Sequence, residues 1–571
     1  MFIQTLFWQW WLLLGIISVS ANDVSPPHIL FIMADDMGHN DVSYHGSDQI
    51  STPNLDALAT RGSILKQYYS EAICTPARTA LLTGKYPMRT GMQGFPLYNS
   101  EDRGIPLTEK LLPAHLKDIG YKTHLVGKWH LGMASKQFLP QYRGYDSHYG
   151  LRGGFVDYLS YHKVEQWPDG TLLFGLDLFD NDIPQITEER YVVDALTDRA
   201  VEIIFGHNSS TPLFLHYSSC APHAGNAGGA LQPPLYKKLG SRHVANSDRR
   251  LYAEVVRHLD YSVGRLVRAL ADKGILHNTL IVFVSDNGAP TTGMYSNWGV
   301  NLPFRGQKQT PWEGGVRVPA FIWHAALKPN VWDGLMHISD WMPTLLAAAG
   351  RKKFDEKIDG INQWPSILRG QQSPRKELLV TVEDRDNGYA ALRMGDYKLL
   401  IGNFTGVGNA YYGAEFLANK ETPPDFYDSL ASSEVAKVFS TLGITFDYGD
   451  VIATRKAAVV KQIDTVKDQV PCIPTPTRGC LYNLKKDPAE SHDLWLRGQK
   501  IVSLMTMRLR SLWSQMVRRG PTKLNIDADP ASHNYICLTW LNNVTQESPL
   551  NEKVVYKGAP PFNVGCECAN N

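Results

Sequence analysis

The fold is decided by a set of short apolar runs, the first of which is HILFIMADD at residues 28–36. Its Ile, Leu and Phe residues follow one another without polar alternation, which predicts a strand covered on both faces. Three later runs have the same character and also lead into polar residues: KTHLV (122–126) before GKWHLG, PLFLHY (212–217) before SSCAPH, and TLIVFV (279–284) before SDNG. We therefore expect four buried, parallel strands of one sheet.

Helical segments separate these strands. TPNLDALATRG at residues 52–62 has Thr52 as a cap and Pro53 in its first turn. Between Asp248 and Gly274, Leu and Val recur every three or four residues, which predicts one helix with a core-facing stripe. Alternating strands and helices imply an α/β domain with a mostly parallel central sheet flanked by helices. Such domains bind ligands beyond the carboxyl ends of the strands, where the polar clusters are expected.

The 571 residues are too many for one ordinary domain, and the character of the chain changes after about residue 385. We expect a large domain at 22–385 and a smaller C-terminal α+β domain with an antiparallel sheet at 386–571. In the latter, YAALRMGDYKLLIG and CLYNLKKDPAESHDLW predict strands, and residues 499–518 predict a helix. Residues 403–471 show weak periodicity and several Gly and Pro, which predicts a long irregular insertion.

The composition and the N-terminal segment indicate the compartment. A net charge of +1, from 57 basic and 56 acidic residues, provides no long-range field for nucleic acid or anionic lipid. The apolar run from Phe7 to Val19 predicts a signal peptide over residues 1–21, cleaved near Ala21. The alternative is an uncleaved membrane anchor, which the shortness of the run disfavours, so no stable membrane span is expected. Three sequons for N-glycans also fit a secretory route: Asn208, Asn403 and Asn543.

Seven cysteines in an oxidising compartment leave one unpaired. Five of them follow residue 470, which predicts disulfides in the C-terminal part. Cys472 and Cys480 bracket a short loop and are the pair we expect. Cys74 is the expected unpaired residue, while Cys220 remains a candidate for a disulfide beside the site.

Two pairs of oxygen-bearing side chains follow the first and fourth strands. Asp35 and Asp36 follow the first, and Asp286 and Asn287 follow the fourth. Carboxylate and amide oxygens suit Ca²⁺ or Mg²⁺, and no His or Cys cluster indicates zinc or copper. A single Asp after a strand is more often a turn or a helix cap, but two such motifs favour a metal site.

Cys74 stands at the start of a predicted helix, CTPARTALLTG at residues 74–84. Pro76 fits the first turn and Gly84 the end. The N-terminus of a helix binds tetrahedral oxyanions, and Arg78 adds a cation with forked donors. Considered alone, a cysteine in this position is more often an inert buried thiol or half of a disulfide than a functional group.

The segment CTPARTALLTG closely resembles the signature of the sulfatase family, in which the cysteine of a C-x-P-x-R core is oxidised to formylglycine. The resemblance extends to four further segments in the family's order: ADDMGHNDVSYHG, GKWHLG, SDNG and RGQKQTPWEGGVRVP. It covers most of residues 28–325, and LRMGDYKL and LYNLKKDPAE resemble the family's small domain. Within the family, the wording is most similar to the arylsulfatase B (N-acetylgalactosamine-4-sulfatase) branch and its arylsulfatase relatives.

The resemblance implies an alkaline-phosphatase-like catalytic domain that hydrolyses sulfate esters with one Ca²⁺. It implies that the ion is held by four oxygen ligands and by residue 74: Asp35, Asp36, Asp286, Asn287 and the modified Cys74. It implies that a formylglycine-generating enzyme converts Cys74 into 3-oxoalanine (formylglycine), the nucleophile. It places five further catalytic residues around the sulfate: Arg78, Lys128, His130, His223 and Lys308. His223 with Lys308 would protonate the departing alcohol, and His130 would help to expel sulfate.

The resemblance leaves the substrate and the location open. It favours a sulfated sugar such as N-acetylgalactosamine 4-sulfate of glycosaminoglycans, with small aryl or plant-derived sulfates as the alternative. A phosphoesterase of the related alkaline-phosphatase-like fold is disfavoured, because such enzymes generally use Ser or Thr with zinc and His ligands. A non-catalytic glycan-binding relative is disfavoured because every catalytic element is present. The secretory route leads either to the lysosome or out of the cell.

Overall fold

The computed structural model describes residues 26–226, 229–234, 240–293, 295–351, 357–384, 388–402, 409–461, 472 and 478–542. The predicted signal peptide and the sequons at Asn403 and Asn543 lie outside the described residues, whereas Asn208 lies on an exposed loop. Among the helices described, none has both the length and the apolar content needed to cross a membrane.

The described residues contain sixteen strands: β1 (His28–Ala34), β2 (Ser63–Tyr69), β3 (Lys122–Gly127), β4 (Ser147–Gly150), β5 (His162–Gln166), β6 (Leu172–Leu176), β7 (Phe179–Asp180), β8 (Ile183–Pro184), β9 (Leu213–Ser218), β10 (Thr279–Ser285), β11 (Ala320–Trp323), β12 (Asn330–His337), β13 (Glu377–Glu383), β14 (Tyr389–Met394), β15 (Tyr397–Gly402) and β16 (Cys480–Asn483). Ten of them form the central sheet, in the order β12-β2-β11-β10-β1-β9-β3-β4-β7-β8. Strands β13 to β16 form a second sheet, and β5 pairs with β6.

The same residues contain twelve α-helices: α1 (Pro53–Thr60), α2 (Cys74–Thr83), α3 (Leu112–Lys117), α4 (Val192–Gly206), α5 (Ser247–Asp272), α6 (Glu313–Val316), α7 (Trp341–Ala348), α8 (Trp364–Arg369), α9 (Phe426–Ala431), α10 (Glu434–Thr441), α11 (Tyr448–Ala458) and α12 (Gln499–Trp513). The predicted helices at 52–62 and 248–274 correspond to α1 and α5. The helix predicted at 499–518 corresponds to α12.

The four predicted strands are β1, β3, β9 and β10, and they lie side by side in parallel at the centre of the large sheet. On one side the antiparallel β11 pairs with β10, and on the other the parallel β4 pairs with β3 and is followed by the antiparallel β7. Alternate residues of β1 face opposite sides of the sheet. Phe31 and Met33 belong to a core that includes α2 and α7, while Leu30 and Ile32 join a core that includes α4 and α5. Helices therefore cover both faces, as the uninterrupted apolar runs predict.

The small sheet begins earlier than the predicted boundary at residue 385. Strand β13 pairs in an antiparallel manner with β14, so this sheet includes residues 377–383. The apolar run of β13 resembles the buried strands of the large domain, so the sequence does not separate the two sheets. Helix α12 covers one face, where Leu509 packs in one core with Leu379 and Leu399.

The predicted irregular insertion at 403–471 is wrong for residues 426–458, which form α9, α10 and α11. These helices pack against α1 and α5 of the large domain. Phe439 stacks on Trp323 with ring centroids 5.0 Å apart, and the Val435 N–H donates to the Asn54 side chain at 3.1 Å. Helices of this length gain most of their stability from such packing. The apolar face of α10, which includes Val435 and Phe439, spans only two turns and does not stand out from the irregular sequence around it.

The predicted disulfide between Cys472 and Cys480 is confirmed. Cys74 is free, as predicted, but the buried Cys220 and Cys537 are free as well. A disulfide at Cys220 beside the site is therefore not formed.

A buried charge network joins the two sheets. Lys398 on β15 lies between Glu313, the first residue of α6, and Glu490, with its Nζ atom 2.9 Å from an oxygen of each. None of the three side chains is exposed. The Glu313 N–H donates to Glu490 at 2.7 Å, and Tyr69 at the end of β2 donates its hydroxyl to Glu313 at 2.6 Å. One ammonium thus serves two carboxylates between the domains.

Candidate functional site

The polar segments that follow the four central strands lie together at the carboxyl-terminal edge of the sheet. Backbone bonds continue beyond the strand ends, so the loops leave together: the Asp286 N–H donates to the Ala34 carbonyl at 3.1 Å, and the Lys128 N–H donates to the Ser218 carbonyl at 2.8 Å. Between β3 and β9 this approach requires a glycine. A Cβ atom at Gly127, whose φ is +112°, would lie 1.9 Å from the Ser218 oxygen.

Helix α2 inserts its first turn into this cluster. Cys74 is its first residue, and the Sγ atom lies 3.7 Å from Asp35 Oδ1 and 3.9 Å from Asp36 Oδ1. Arg78 follows one turn later and donates from Nη2 to Asp286 Oδ2 at 2.8 Å and from Nη1 to Ser218 Oγ at 2.6 Å. All ten residues of the helix are buried. The thiol and the guanidinium are therefore held by the fold.

Two lysines complete the charge pairs. Lys128 after β3 donates to both oxygens of Asp35 at 2.9 and 2.7 Å. Lys308, from the loop before α6, donates to Asp36 Oδ2 at 2.6 Å. With Arg78 facing Asp286, three carboxylates face three cations, and their formal charges cancel.

The charges and the burial act on the ionisation of this cluster. Burial raises the pKa of Asp35 against the opposing effect of Lys128. Burial alone would also raise the pKa of Asp36, but Lys308 and His223 hold it below its usual value. Burial likewise opposes ionisation of Asp286, yet Arg78 keeps its pKa well below the usual range. Burial raises the pKa of the Cys74 thiol to about 12.

The donor set fits a hard cation. Ligand atoms of Asp35, Asp36, Cys74 and His223 lie within 4.8 Å of one another. Asn287 adjoins them, because its Nδ2 donates to Asp36 Oδ1 at 2.6 Å. The Asn287 Oδ1 atom is buried and has no hydrogen-bond partner in the described part of the chain. A buried oxygen beside carboxylates that lacks a hydrogen-bond partner is suited to be a ligand of Ca²⁺, because the cation would then satisfy it.

His223 lies against Lys308, as predicted. Its Nε2 atom is 3.3 Å from Lys308 Nζ and 3.4 Å from Asp36 Oδ2, while Nδ1 is 2.6 Å from the Ala224 carbonyl. A carbonyl only accepts, so Nδ1 carries the hydrogen and Nε2 presents its lone pair to the lysine. Burial lowers the pKa of His223 to about 3.

His130 is connected to the cluster through the backbone. Its carbonyl accepts from Thr75 Oγ1 at 3.1 Å, next to Cys74, and its Nε2 is 3.0 Å from the Leu97 carbonyl. Nε2 therefore carries the hydrogen, and Nδ1 keeps a lone pair that is buried and has no partner among the described residues. Burial lowers the pKa of His130 well below its usual value, so the ring is a neutral base.

Sequence reasoning missed two side chains that contact the predicted ones. Ser218 at the end of β9 accepts from Arg78, and Phe155 stacks on the His223 ring, with centroids 5.3 Å apart and planes at 12°. Ser218 lay within the quoted SSCAPH segment and could have been found from its position at a strand end. Phe155 lies 68 positions from His223, and no periodicity or motif connects them.

Comparisons with known proteins identify the family of this chain. The family model described as Sulfatase matches residues 27–351. Arylsulfatase J of Mus musculus is 37% identical over 402 residues, covering 66% of this chain and 65% of its own length. N-acetylgalactosamine-6-sulfatase of Mus musculus is 34% identical over 411 residues, covering 69% and 75%. The solved structure of Ps i-CgsB in complex with k-i-k-neocarrahexaose is 26% identical with a TM-score of 0.67, covering 88% of this chain and 95% of its own. These relatives do not test the likeness to the arylsulfatase B branch, which stays a prediction.

Proposed function

This chain belongs to the sulfatase family of sulfuric ester hydrolases, and on that premise we propose that it is a Ca²⁺-dependent enzyme whose nucleophile is made from Cys74. The observation that carries the proposal is the buried convergence of three carboxylates and three cations on one free cysteine. Because the formal charges of these groups cancel, a bound divalent cation would leave the pocket positive. A positive, water-poor pocket selects an anionic ester.

The ion would be held by Asp35, Asp36, Asp286 and Asn287 together with residue 74. The partnerless Oδ1 atom of Asn287 supports this set, because a cation would give that buried oxygen a partner. Bound Ca²⁺ would supply positive charge beside the sulfate oxygens and favour an ionised hydroxyl at residue 74.

Cys74 is the proposed substrate of a formylglycine-generating enzyme during biosynthesis. Its oxidation to an aldehyde would supply, after hydration, a hydroxyl that attacks the sulfur of the ester. The free state of Cys74 and its place at the start of α2, beside Asp35 and Asp36, support this assignment. Arg78, already fixed by two hydrogen bonds, steadies the anion, and Lys128 stabilises charge on the sulfate oxygens.

The two histidines serve opposite proton transfers. Lys308 donates toward the Nε2 lone pair of His223, so this pair holds the proton that the departing alcohol oxygen takes as the S–O bond breaks. His130 presents an unpartnered Nδ1 lone pair, which removes a proton at residue 74 when sulfate is expelled. The balanced reaction consumes one water and yields the alcohol, sulfate and a proton.

The proposed substrate is a sulfated sugar such as N-acetylgalactosamine 4-sulfate of glycosaminoglycans. Two comparisons support a sugar: a relative is named for N-acetylgalactosamine, and the structure of a neighbour was solved in complex with k-i-k-neocarrahexaose. Small aryl or plant-derived sulfates are the second candidate. Tyr295, 38% exposed and with its ring centroid 5.2 Å from that of Phe155, favours them by adding an aromatic surface next to His223. A secretory protein with N-glycans, lysosomal or secreted, fits both.

A substrate panel tests this choice. We expect a higher kcat/KM for N-acetylgalactosamine 4-sulfate than for its 6-sulfate, because the sequence motifs resemble those of the N-acetylgalactosamine-4-sulfatase branch, although a relative is named for the 6-sulfate. The measurement is sulfate release by the purified protein with Ca²⁺, with 4-nitrophenyl sulfate as the aryl member. A preference for the aryl ester over both sugars would replace the first candidate by the second.

Removal of Ca²⁺ is expected to abolish turnover, and added Ca²⁺ to restore it. The variant Asn287→Leu lacks the oxygen donor, so the Ca²⁺ concentration for half-maximal recovery should rise at least about tenfold. The matched variant Asn287→Asp keeps an oxygen there and should recover at far lower Ca²⁺ than Asn287→Leu. Calcium-dependent thermal shifts give a readout besides activity. Full activity after exhaustive chelation would contradict the assignment.

A further inference from the structure

We propose that two consecutive residues, Gly154 and Phe155, are positioning residues that hold the rings of His130 and His223. The inference rests on the proposed function, since it uses the proton transfers assigned to those two histidines. It adds that one short loop orients both rings, although they act at different steps of the reaction.

Gly154 lies against the imidazole of His130. A Cβ atom at this position would be 2.8 Å from Cε1 and 2.9 Å from Nε2 of that ring, closer than van der Waals contact allows. The same Nε2 donates to the Leu97 carbonyl at 3.0 Å. The ring can keep this hydrogen bond only if residue 154 has no side chain. Because the bond places the hydrogen on Nε2, the lone pair is on Nδ1.

Phe155 lies against the imidazole of His223. The nearly parallel stack, at 5.3 Å and 12°, fixes the plane of a ring whose Nδ1 donates to the Ala224 carbonyl. Rotation of that plane would turn Nε2 away from Lys308. Phe155 is 9% exposed, and the Lys163 Nζ atom lies 5.1 Å from its ring centroid, so the phenyl ring is itself confined.

The loop that carries both residues is anchored at buried groups. The fully buried Asp177 carboxylate accepts the N–H groups of Arg152 at 2.9 Å and Gly153 at 2.8 Å. The Arg152 carbonyl accepts the N–H of His130 at 3.1 Å. The loop cannot move away from either ring without breaking these hydrogen bonds. A substitution at residue 154 or 155 is therefore expected to displace the imidazole ring that this residue contacts.

The two contacts predict two different kinetic defects. His223 acts while the ester S–O bond breaks, so loss of its orientation matters most when the departing alcohol is a poor leaving group. His130 acts after the alcohol has departed. Loss of its orientation therefore slows the expulsion of sulfate, a step that is the same for every substrate. A merely structural role would not separate the two variants in this way.

The first arm of the test is Phe155→Leu, assayed on aryl sulfates of graded leaving-group pKa. We expect kcat/KM to fall about tenfold or more for phenyl and 4-methoxyphenyl sulfate, since small misplacements cost this much. The fall should be less than about threefold for 4-nitrophenyl sulfate, whose phenolate needs no proton to depart. Phe155→Tyr keeps a stacking ring and should behave as the parent enzyme. Phe205→Leu, on the exposed end of α4, is the control.

The second arm is Gly154→Ala. We expect kcat to fall about tenfold or more while kcat/KM stays within about threefold, so that KM falls with kcat. A rapid burst of phenol, equal in amount to the enzyme, should precede the slow steady state with every substrate. Gly206→Ala is the control, because nothing lies within 4 Å of its added Cβ atom.

The outcomes separate the inference from the proposed function. A parent enzyme that cleaves no sulfate ester overturns both. An active parent whose Phe155→Leu variant loses activity equally on all leaving groups overturns the inference alone, as does Phe155→Tyr failing to restore activity. If Gly154→Ala proves unstable in a thermal scan, the Phe155→Leu and Phe155→Tyr pair decides the result.

Discussion

Replacing Cys74 by alanine is expected to lower sulfatase turnover by a factor of about 10⁴ or more, because the change removes the proposed nucleophile outright. Serine in place of Cys74 should fail as well. Its single hydroxyl offers an attack on sulfur but no second hydroxyl to expel the sulfate afterwards, so it supports no more than one turnover. The measurement is steady-state hydrolysis of 4-nitrophenyl sulfate in the presence of Ca²⁺.

Two controls make this result specific. Cys220→Ala removes the other free, buried cysteine of the same region and should keep activity within about threefold, since no step uses that thiol. Mass spectrometry of the peptide spanning residues 71–85 should find an aldehyde in place of the Cys74 thiol. An unmodified thiol in every molecule of an active preparation, or sustained turnover by Cys74→Ala, would contradict the proposed nucleophile.

Replacing Lys398 by methionine is expected to destabilise the protein by about 3–5 kcal/mol, the usual effect of removing one partner from a buried ion pair. The variant leaves Glu313 and Glu490 facing each other with no ammonium between them, and none of the three side chains reaches solvent. Burial, together with the neighbouring Glu313, already raises the pKa of Glu490 against the effect of Lys398. Without Lys398, Glu490 loses the cation 2.9 Å from its oxygen, whereas Glu313 keeps the Arg317 guanidinium at 3.5 Å.

Urea unfolding followed by tryptophan fluorescence measures the effect. The exposed Lys500 on α12 provides the control, and Lys500→Met should leave the midpoint unchanged. The double variant Lys398→Met/Glu490→Gln should recover part of the loss, because one of the two opposed charges is gone. A single Lys398→Met variant with the parent midpoint would show that the network contributes nothing to stability.

The central sheet could be predicted because its strands are buried on both faces. Such strands appear as unbroken apolar runs, and the polar residues after them mark the edge where ligands bind. The meeting of Asp35 with Asp286 follows from that one regularity, whereas Cys74 was singled out by the resemblance of its segment to the sulfatase signature. Parallel register then brings residues hundreds of positions apart to one point.

The remaining features depend on packing between distant segments. Helices α9, α10 and α11 are held by α1 and α5, and their short sequences carry no signal of that partner. Strand β13 belongs to the small sheet through hydrogen bonds that its apolar composition does not reveal. Gly154 and Phe155 matter because of two rings that lie far from them along the chain. Contacts of this kind leave no periodic trace.

The helical segment at residues 426–458 also sets the order in which the molecule can mature. It covers α1 and α5 with apolar side chains such as Val435 and Phe439, yet it is synthesised after the first three strands of the small sheet. During translation, the apolar surfaces of α1 and α5 therefore stay exposed until residue 458 has left the ribosome. We expect a chain ending at residue 385 to be recovered aggregated rather than as an isolated catalytic unit.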